Sequence, residues 1–266
     1  MLLWQNSQIN YFYITVILLV VFLLGITAFS YVNQLVLRIP AGESLIVKNS
    51  TCPRCGHPRR LKDDIPLFSY LFTGGKCAYC FERLGLREPL VELVGGLAAV
   101  GIVFYYGLTW SALTVFLLYG VLMTISLIDY DTMEIPLGLN VTLLGLSAIS
   151  FFTMEGPGVG ARLIGMVCIS GFMFLVVLLV PGGFGGGDIK MMTCVGFFLG
   201  WKAMVAAFFI ALLLGGGYGI YVMASGKKGR KEHFALGPAL AVGVAISVFA
   251  DLGTLIVDSY LGLMIK

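Results

Sequence analysis

Apolar residues along this chain come in long unbroken blocks separated by short polar stretches. This is neither the alternation of a half-buried strand nor the single apolar stripe of a surface helix. The blocks fall near residues 11–32, 90–106, 110–128, 138–153, 161–180, 189–201, 203–224 and 235–250. Most approach the roughly 20 residues that a helix needs to cross a hydrocarbon core. Backbone groups there must pair within their own segment, so the blocks predict helices. The expected fold class is therefore an all-α polytopic membrane protein with about eight transmembrane helices. The sixth block is shorter than a full crossing and predicts a helix that starts submerged or tilts into the bundle. The first is too long for a signal-peptide core and is followed by no small-residue cleavage site, so it is read as a retained helix. The apolar tail 252–266 carries Asp258 and reads as interfacial or as a ragged end of the last helix.

Composition strengthens this reading, with 59% hydrophobic and only 12% charged residues. The formal net charge of +3 is too small to imply a nucleic-acid partner, and its placement says more than its size. Nine of the 17 Lys and Arg residues lie between Arg38 and Arg87, and Lys227, Lys228, Arg230 and Lys231 form a second cluster. By the positive-inside rule both stretches face the cytoplasm. Counting spans from an outside start is consistent with that. The chain then returns to the cytoplasmic side near Asp129, again at 181–188, and again at the Lys227 cluster.

The sequence divides into a first transmembrane helix (1–37), a cytoplasmic loop domain (38–89) and a transmembrane core (90–266). The loop carries Cys52 and Cys55 as one Cys-x-x-Cys pair and Cys77 and Cys80 as another. Each pair can present two thiolates to a tetrahedral ion, so the four predict a zinc-ribbon-like site of the structural kind, its coordination shell closed to water. Disulfides are the competing reading, but the loop lies in a reducing compartment. His57 is a possible further donor or a surface residue. Cys168 and Cys194 fall inside apolar blocks and read as packing.

The candidate chemistry lies in two aspartates at the edges of apolar blocks, Asp129 in SLIDYD (126–131) and Asp188 in GGFGGGDIK (182–190). Carboxylates at membrane depth are costly and usually functional. Facing one another across a wet cavity, they would share a proton, one acting as base and the other as acid. That suffices to add water to a peptide carbonyl. The chain has no Gly-x-Ser-x-Gly elbow or His-Glu-x-x-His, and only two histidines, His57 and His233. The glycine run before Asp188 would let a substrate backbone approach closely, or it is a tight turn with Asp188 as helix N-cap. Lys190 either tunes that aspartate or reaches the headgroups. Asp129 ends an uninterrupted apolar run, so Asp131 and Glu134 are assigned to the solvated turn before Pro136, with Asp131 in reserve.

The ordered motifs resemble the bacterial type IV prepilin peptidases, aspartic membrane proteases of the Gly-x-Gly-Asp group. They are AFSYVN (28–33) leading to Arg38 and Pro40, the paired cysteines, DDIPLFSY (63–70), REPLVE (87–92), Ile128-Asp129 with Pro136, and GGGDIK (185–190). The resemblance implies that Asp129 and Asp188 are the catalytic pair of a multi-pass enzyme of the bacterial inner membrane. Its substrates would be prepilins or pseudopilins, cut on the cytoplasmic side between a short basic leader and an apolar helix. Many members with the four-cysteine loop also methylate the new N-terminus using S-adenosylmethionine, a cofactor for which this sequence presents no fingerprint. Two positions depart from the family: Leu137 stands where an acidic residue is common, and Thr27-Ala28 replaces a Gly-Ser pair. Asp63, Asp64, Glu82, Glu88 and Glu92 are candidates for holding the leader, or for pairing with Arg83 and Arg87 and orienting the zinc loop.

Two other functions fit some of these features. A transporter or channel would use the aspartates for proton or cation passage and the glycines to break helices. It gives no reason for the cysteine pairs. An assembly or anchoring protein would bind partners through the zinc loop, with both aspartates merely capping helices.

Overall fold

The computed structural model describes residues 9–45, 55–57, 67–77, 79–83, 85–180, 182–224 and 235–250. Cys52, Asp63, Asp64, His233, the Lys227 cluster and the tail 252–266 lie outside the described residues. Among those described, the chain forms α1 (Ile9–Ala41), α2 (Phe68–Phe72), α3 (Arg87–Tyr106), α4 (Trp110–Thr132), α5 (Leu137–Thr153), α6 (Val159–Leu179), α7 (Gly186–Ala224) and α8 (Gly237–Ala250). Five of them, α1, α3, α4, α6 and α7, are long and apolar enough to cross a membrane, and α5 and α8 are shorter apolar helices. Their outward positions are apolar too, as at Val167, Leu178 and Leu179 of α6, which suits lipid rather than water.

The helices form two compact units, one ending at Gly107 and the other beginning at Leu108. In the first, α1 packs on α3. The sequence pattern ends this helix near 32, but α1 continues to Ala41 because its buried stripe of Ile26, Phe29 and Val32 carries on through Val36. Small residues set the spacing: a methyl added at Gly25 would stand 2.7 Å from both the Ala99 Cβ and the Gly95 carbonyl oxygen. The Asn33 side-chain amide donates to the Glu88 carbonyl at 3.1 Å. The Leu67 N–H donates to the buried Glu92 carboxylate at 2.8 Å, which ties the loop to α3.

In the second unit α7 packs against α5, α6 and α8, while α4 packs against α5 and α8. The long α7 is two helices. Gly200 has φ 74° and ψ 168°, outside any helical region. A straight helix would put Phe184 and Phe208 more than about 30 Å apart at 1.5 Å per residue. Their ring centroids lie 6.2 Å apart, so the chain doubles back at Gly200. The first arm, 186–199, packs so closely on α6 that a methyl on Gly165 or Gly196 would overlap the other's carbonyl oxygen.

A polar cluster anchors the far end of that arm. Arg162, at the start of α6 and 2% exposed, donates through one guanidinium nitrogen to the carbonyls of Phe197 and Phe198, at 3.0 and 3.4 Å, and to the Ser150 hydroxyl at 2.9 Å. Its Nε donates to the Pro157 carbonyl at 3.0 Å. The last carbonyls of the arm lack intrahelical donors once Gly200 breaks the helix, and the guanidinium replaces them.

Candidate active site

Asp129 sits in the last turn of α4, one face of which is buried through Leu122, Ile125 and Ile128. The helix ends four residues later, where Met133 takes a left-handed conformation and its N–H donates to the Asp129 carbonyl at 2.8 Å. Pro136 then opens α5. Asp131, still within the last turn of α4 and not in the turn before Pro136 as expected, and Glu134, in that turn, are both exposed, while Asp129 is only 6% exposed.

Asp188, 8% exposed, lies in the first turn of α7. It is not the N-cap that its position after the glycines suggests. The helix begins at Gly186, and the Asp188 Oδ2 reaches back to accept the Gly185 N–H at 3.3 Å, as the third-position acid of a capping box does. Its Oδ1 is buried with no hydrogen-bond partner among the described residues. Gly187 needs its missing side chain for another reason: a methyl there would stand 2.9 Å from the Ile135 Cβ. The α4–α5 turn and the start of α7 thus approach to a distance that only glycine allows, and this brings the aspartates together.

Both carboxylates line one cavity of about 310 Å³ and lie within electrostatic reach of each other. Glu134 and Lys190, both exposed, stand on its rim. Asp129 has a partner that sequence reasoning did not find. The N–H of Gly237, the first residue of α8, donates to its Oδ2 at 2.8 Å. A methyl on Gly237 would sit 2.6 Å from that oxygen. The available sequence signal was the Gly237-Pro238 pair, since proline in the first turn is a helix-start mark. A second unpredicted residue is Asn140 of α5, 3% exposed and on the cavity wall, with neither amide atom partnered among the described residues.

In the first unit the Sγ atoms of Cys55, Cys77 and Cys80 lie within 4.8 Å of one another, a group able to hold a metal ion. The chain reverses tightly at the second pair. The Phe81 N–H donates to the Cys77 carbonyl at 3.0 Å, the Cys77 N–H to the Glu82 carbonyl at 2.9 Å, and Lys76 bridges to Arg83. None of the five described cysteines forms a disulfide. His57 is exposed, with its ring 3.8 Å from that of Tyr79, outside the thiol group. Of the acids proposed to hold a basic leader, Glu92 is engaged by the Leu67 N–H.

Two family descriptions match the chain: the bacterial peptidase A24 N-terminal domain over residues 23–106, and the type IV leader peptidase family over residues 116–220. Among curated proteins, the prepilin leader peptidase/N-methyltransferase of Burkholderia pseudomallei is 34% identical over 223 residues, 79% of this chain and 70% of that protein. The protein of the same name from Bacillus subtilis is 33% identical over 228 residues, 84% of this chain and 90% of that one. That from Pseudomonas aeruginosa is 31% identical over 248 residues, 83% and 86%. The chain belongs to the type IV leader peptidase (A24) family. No solved structure matches it. The two family matches follow the two structural units, the A24 N-terminal domain holding the thiol group and the leader peptidase domain both aspartates. Gly237, which holds Asp129, lies beyond the second match.

Proposed function

We propose that this A24 enzyme is an aspartic endopeptidase that removes the short basic leader from type IV prepilins or pseudopilins, with Asp129 and Asp188 as its catalytic pair. The observation that carries the reading is the pair of buried carboxylates on one cavity, held by main-chain amides and surrounded by open glycine backbone. In the proposed reaction a water lies between them. Asp129, anchored by Gly237, takes a proton from it, and the resulting hydroxide attacks the scissile carbonyl carbon. Asp188, whose Oδ1 is unpartnered, donates a proton to the carbonyl oxygen. The roles exchange as the C–N bond breaks and the amine leaves protonated. Gly186, where an added methyl would meet nothing within 4 Å, leaves room for a substrate main chain beside Asp188.

The relatives' shared name supports the substrate class and, with it, N-methylation of the new N-terminus using S-adenosylmethionine. The glycine-rich run supplies no site for that cofactor. It joins α6 to α7 rather than a strand to a helix, and it lines the carboxylate cavity. Methylation therefore rests on the relatives' names alone. In the membrane we read eight crossings, counting the two arms of α7 apart, with loop 38–89 and both aspartates on the cytoplasmic side. We read 1–37 as the region of the first helix, within which α1 starts at Ile9 and from which it runs on to Ala41, and 90–266 as the peptidase core. Cys52, Cys55, Cys77 and Cys80 are proposed to hold a structural zinc. Thiols within 4.8 Å of one another suit a tetrahedral ion, which would fix the loop's fold and leave no open position for chemistry.

The test is cleavage of a pilin precursor by the purified protein in lipid, with products weighed by mass spectrometry. The wild type is expected to cut before the apolar helix, and Asp129→Asn and Asp188→Asn to remain folded without cutting. Cleavage by either variant would remove the dyad.

A further inference from the structure

Asn140 belongs to α5, a helix whose other buried polar side chains all have partners. Ser147 donates to the Cys194 carbonyl at 2.7 Å, and Ser150 donates to the Ser147 carbonyl while accepting from Arg162. Asn140 alone among them lines the carboxylate cavity, and it alone has both side-chain polar atoms unmet among the described residues. At 3% exposure an unpaired amide destabilises the resting protein, because both its donor and its acceptor have left bulk water. An apolar side chain of similar volume at this position would carry no such cost. Unmet polarity beside two buried carboxylates is the mark of a group whose partner arrives with the substrate.

The chemistry of that partner follows from the amide. It carries an acceptor oxygen and a donor nitrogen side by side and no charge. A cation would be drawn instead to the neighbouring carboxylates, and an anion repelled by them. The group that matches an amide's donor and acceptor together is another amide, and a peptide main chain offers one at every residue. An apolar substrate helix must unwind around the bond to be cut before water and carboxylates can reach its carbonyl. The N–H and C=O groups released at membrane depth then require protein partners. We propose that Asn140 binds the unwound substrate main chain beside the scissile bond, its nitrogen donating to a peptide carbonyl and its oxygen accepting a peptide N–H. The assignment rests on the peptidase reading above and adds to the dyad a residue for main-chain recognition.

The experiment compares wild type, Asn140→Leu, Asn140→Thr and Asp188→Asn, each full length in lipid. Cleavage of a synthetic peptide covering the leader and first helical turns of a pilin precursor is followed, and thermal unfolding is measured on the same samples. Asn140→Leu is expected to unfold at or above the wild-type temperature. Its kcat/KM should fall roughly ten- to a hundredfold, mainly through a higher KM, since the lost contact is made in the ground state as well as the transition state. Asn140→Thr, whose hydroxyl can restore one polar contact, should lie between. A kcat/KM for Asn140→Leu within twofold of wild type overturns the proposal. So does a loss confined to kcat, or one that tracks a lower unfolding temperature, because a positioning or packing role gives those results. If Asn140→Leu does not fold, binding of the same peptide to Asp188→Asn with and without Asn140→Thr decides the matter, and equal affinity sinks the proposal. Cleavage by Asp188→Asn, or none by wild type, fails the peptidase reading and the inference with it. A silent Asn140→Leu beside an active wild type and an inactive Asp188→Asn fails the inference alone.

Discussion

Asp129 is oriented by a backbone amide that belongs to a helix starting more than a hundred residues later in the chain. Because the donor is main chain, its side chain must be absent: a methyl at Gly237 would stand 2.6 Å from the Asp129 Oδ2 and 2.9 Å from its Cγ. Gly237→Ala is therefore expected to turn the carboxylate out of line and lower kcat by roughly a hundredfold, the scale on which small misplacements act. Unfolding temperature should change little, and the cleavage assay reads the effect directly. A variant with wild-type kcat would show that the hydrogen bond does not position the reacting group. The aspartates themselves were legible in the sequence, because a charge ending an apolar run is conspicuous. Gly237 was not, since a main-chain N–H looks the same at every residue and its target is set by the packing of α8 against α4. Asn140 escaped notice for a related reason. A polar residue one turn into an apolar block reads as ordinary helix surface until its burial and lack of partners are known.

At the scale of elements, the short first arm of α7 decides where Asp188 lies. Its near end is fixed by the fit of Gly187 on Ile135 and its far end by Arg162 on the carbonyls of Phe197 and Phe198. Replacing Arg162 with Met keeps the volume but leaves those carbonyls unmet within the bundle. The expected cost is about 3 kcal/mol, to be read from thermal or denaturant unfolding in detergent. Gly200→Ala should destabilise as well, by about 1–3 kcal/mol, because φ of 74° is disfavoured for a side-chain-bearing residue and the new methyl would stand 2.7 Å from Pro157. Unchanged stability in both variants would mean that the arm is held by apolar packing alone. The sequence split this region into two blocks, 189–201 and 203–224, and the break at Gly200 falls between them to within a residue or two. The reversal itself followed from the span count, which put both 181–188 and the Lys227 cluster on one side, but that Gly200 makes it was not legible, since a glycine in an apolar run is equally compatible with a straight helix.

For the whole molecule, the matching of family regions to structural units suggests separable duties, a thiol-bearing N-terminal unit and a carboxylate-bearing second unit. Purified protein is expected to contain about one zinc per chain by elemental analysis, the number one four-thiolate site holds. Cys77→Ser should lose most of it, because Cys77 is the buried member of the group. Full metal content in that variant would place the ion elsewhere. The sequence by itself determined the helical membrane class, the family, and the residue types able to do chemistry. Hydrophobic block length and isolated charges are local properties that every fold of this chain must accommodate. Tertiary structure alone decided that Asp129 and Asp188 share one cavity, that Asn140 lines it, and that the Gly237 N–H holds Asp129. Those facts depend on distances between segments far apart in the chain, set by glycine contacts and by buried polar groups finding partners, and no local pattern encodes them.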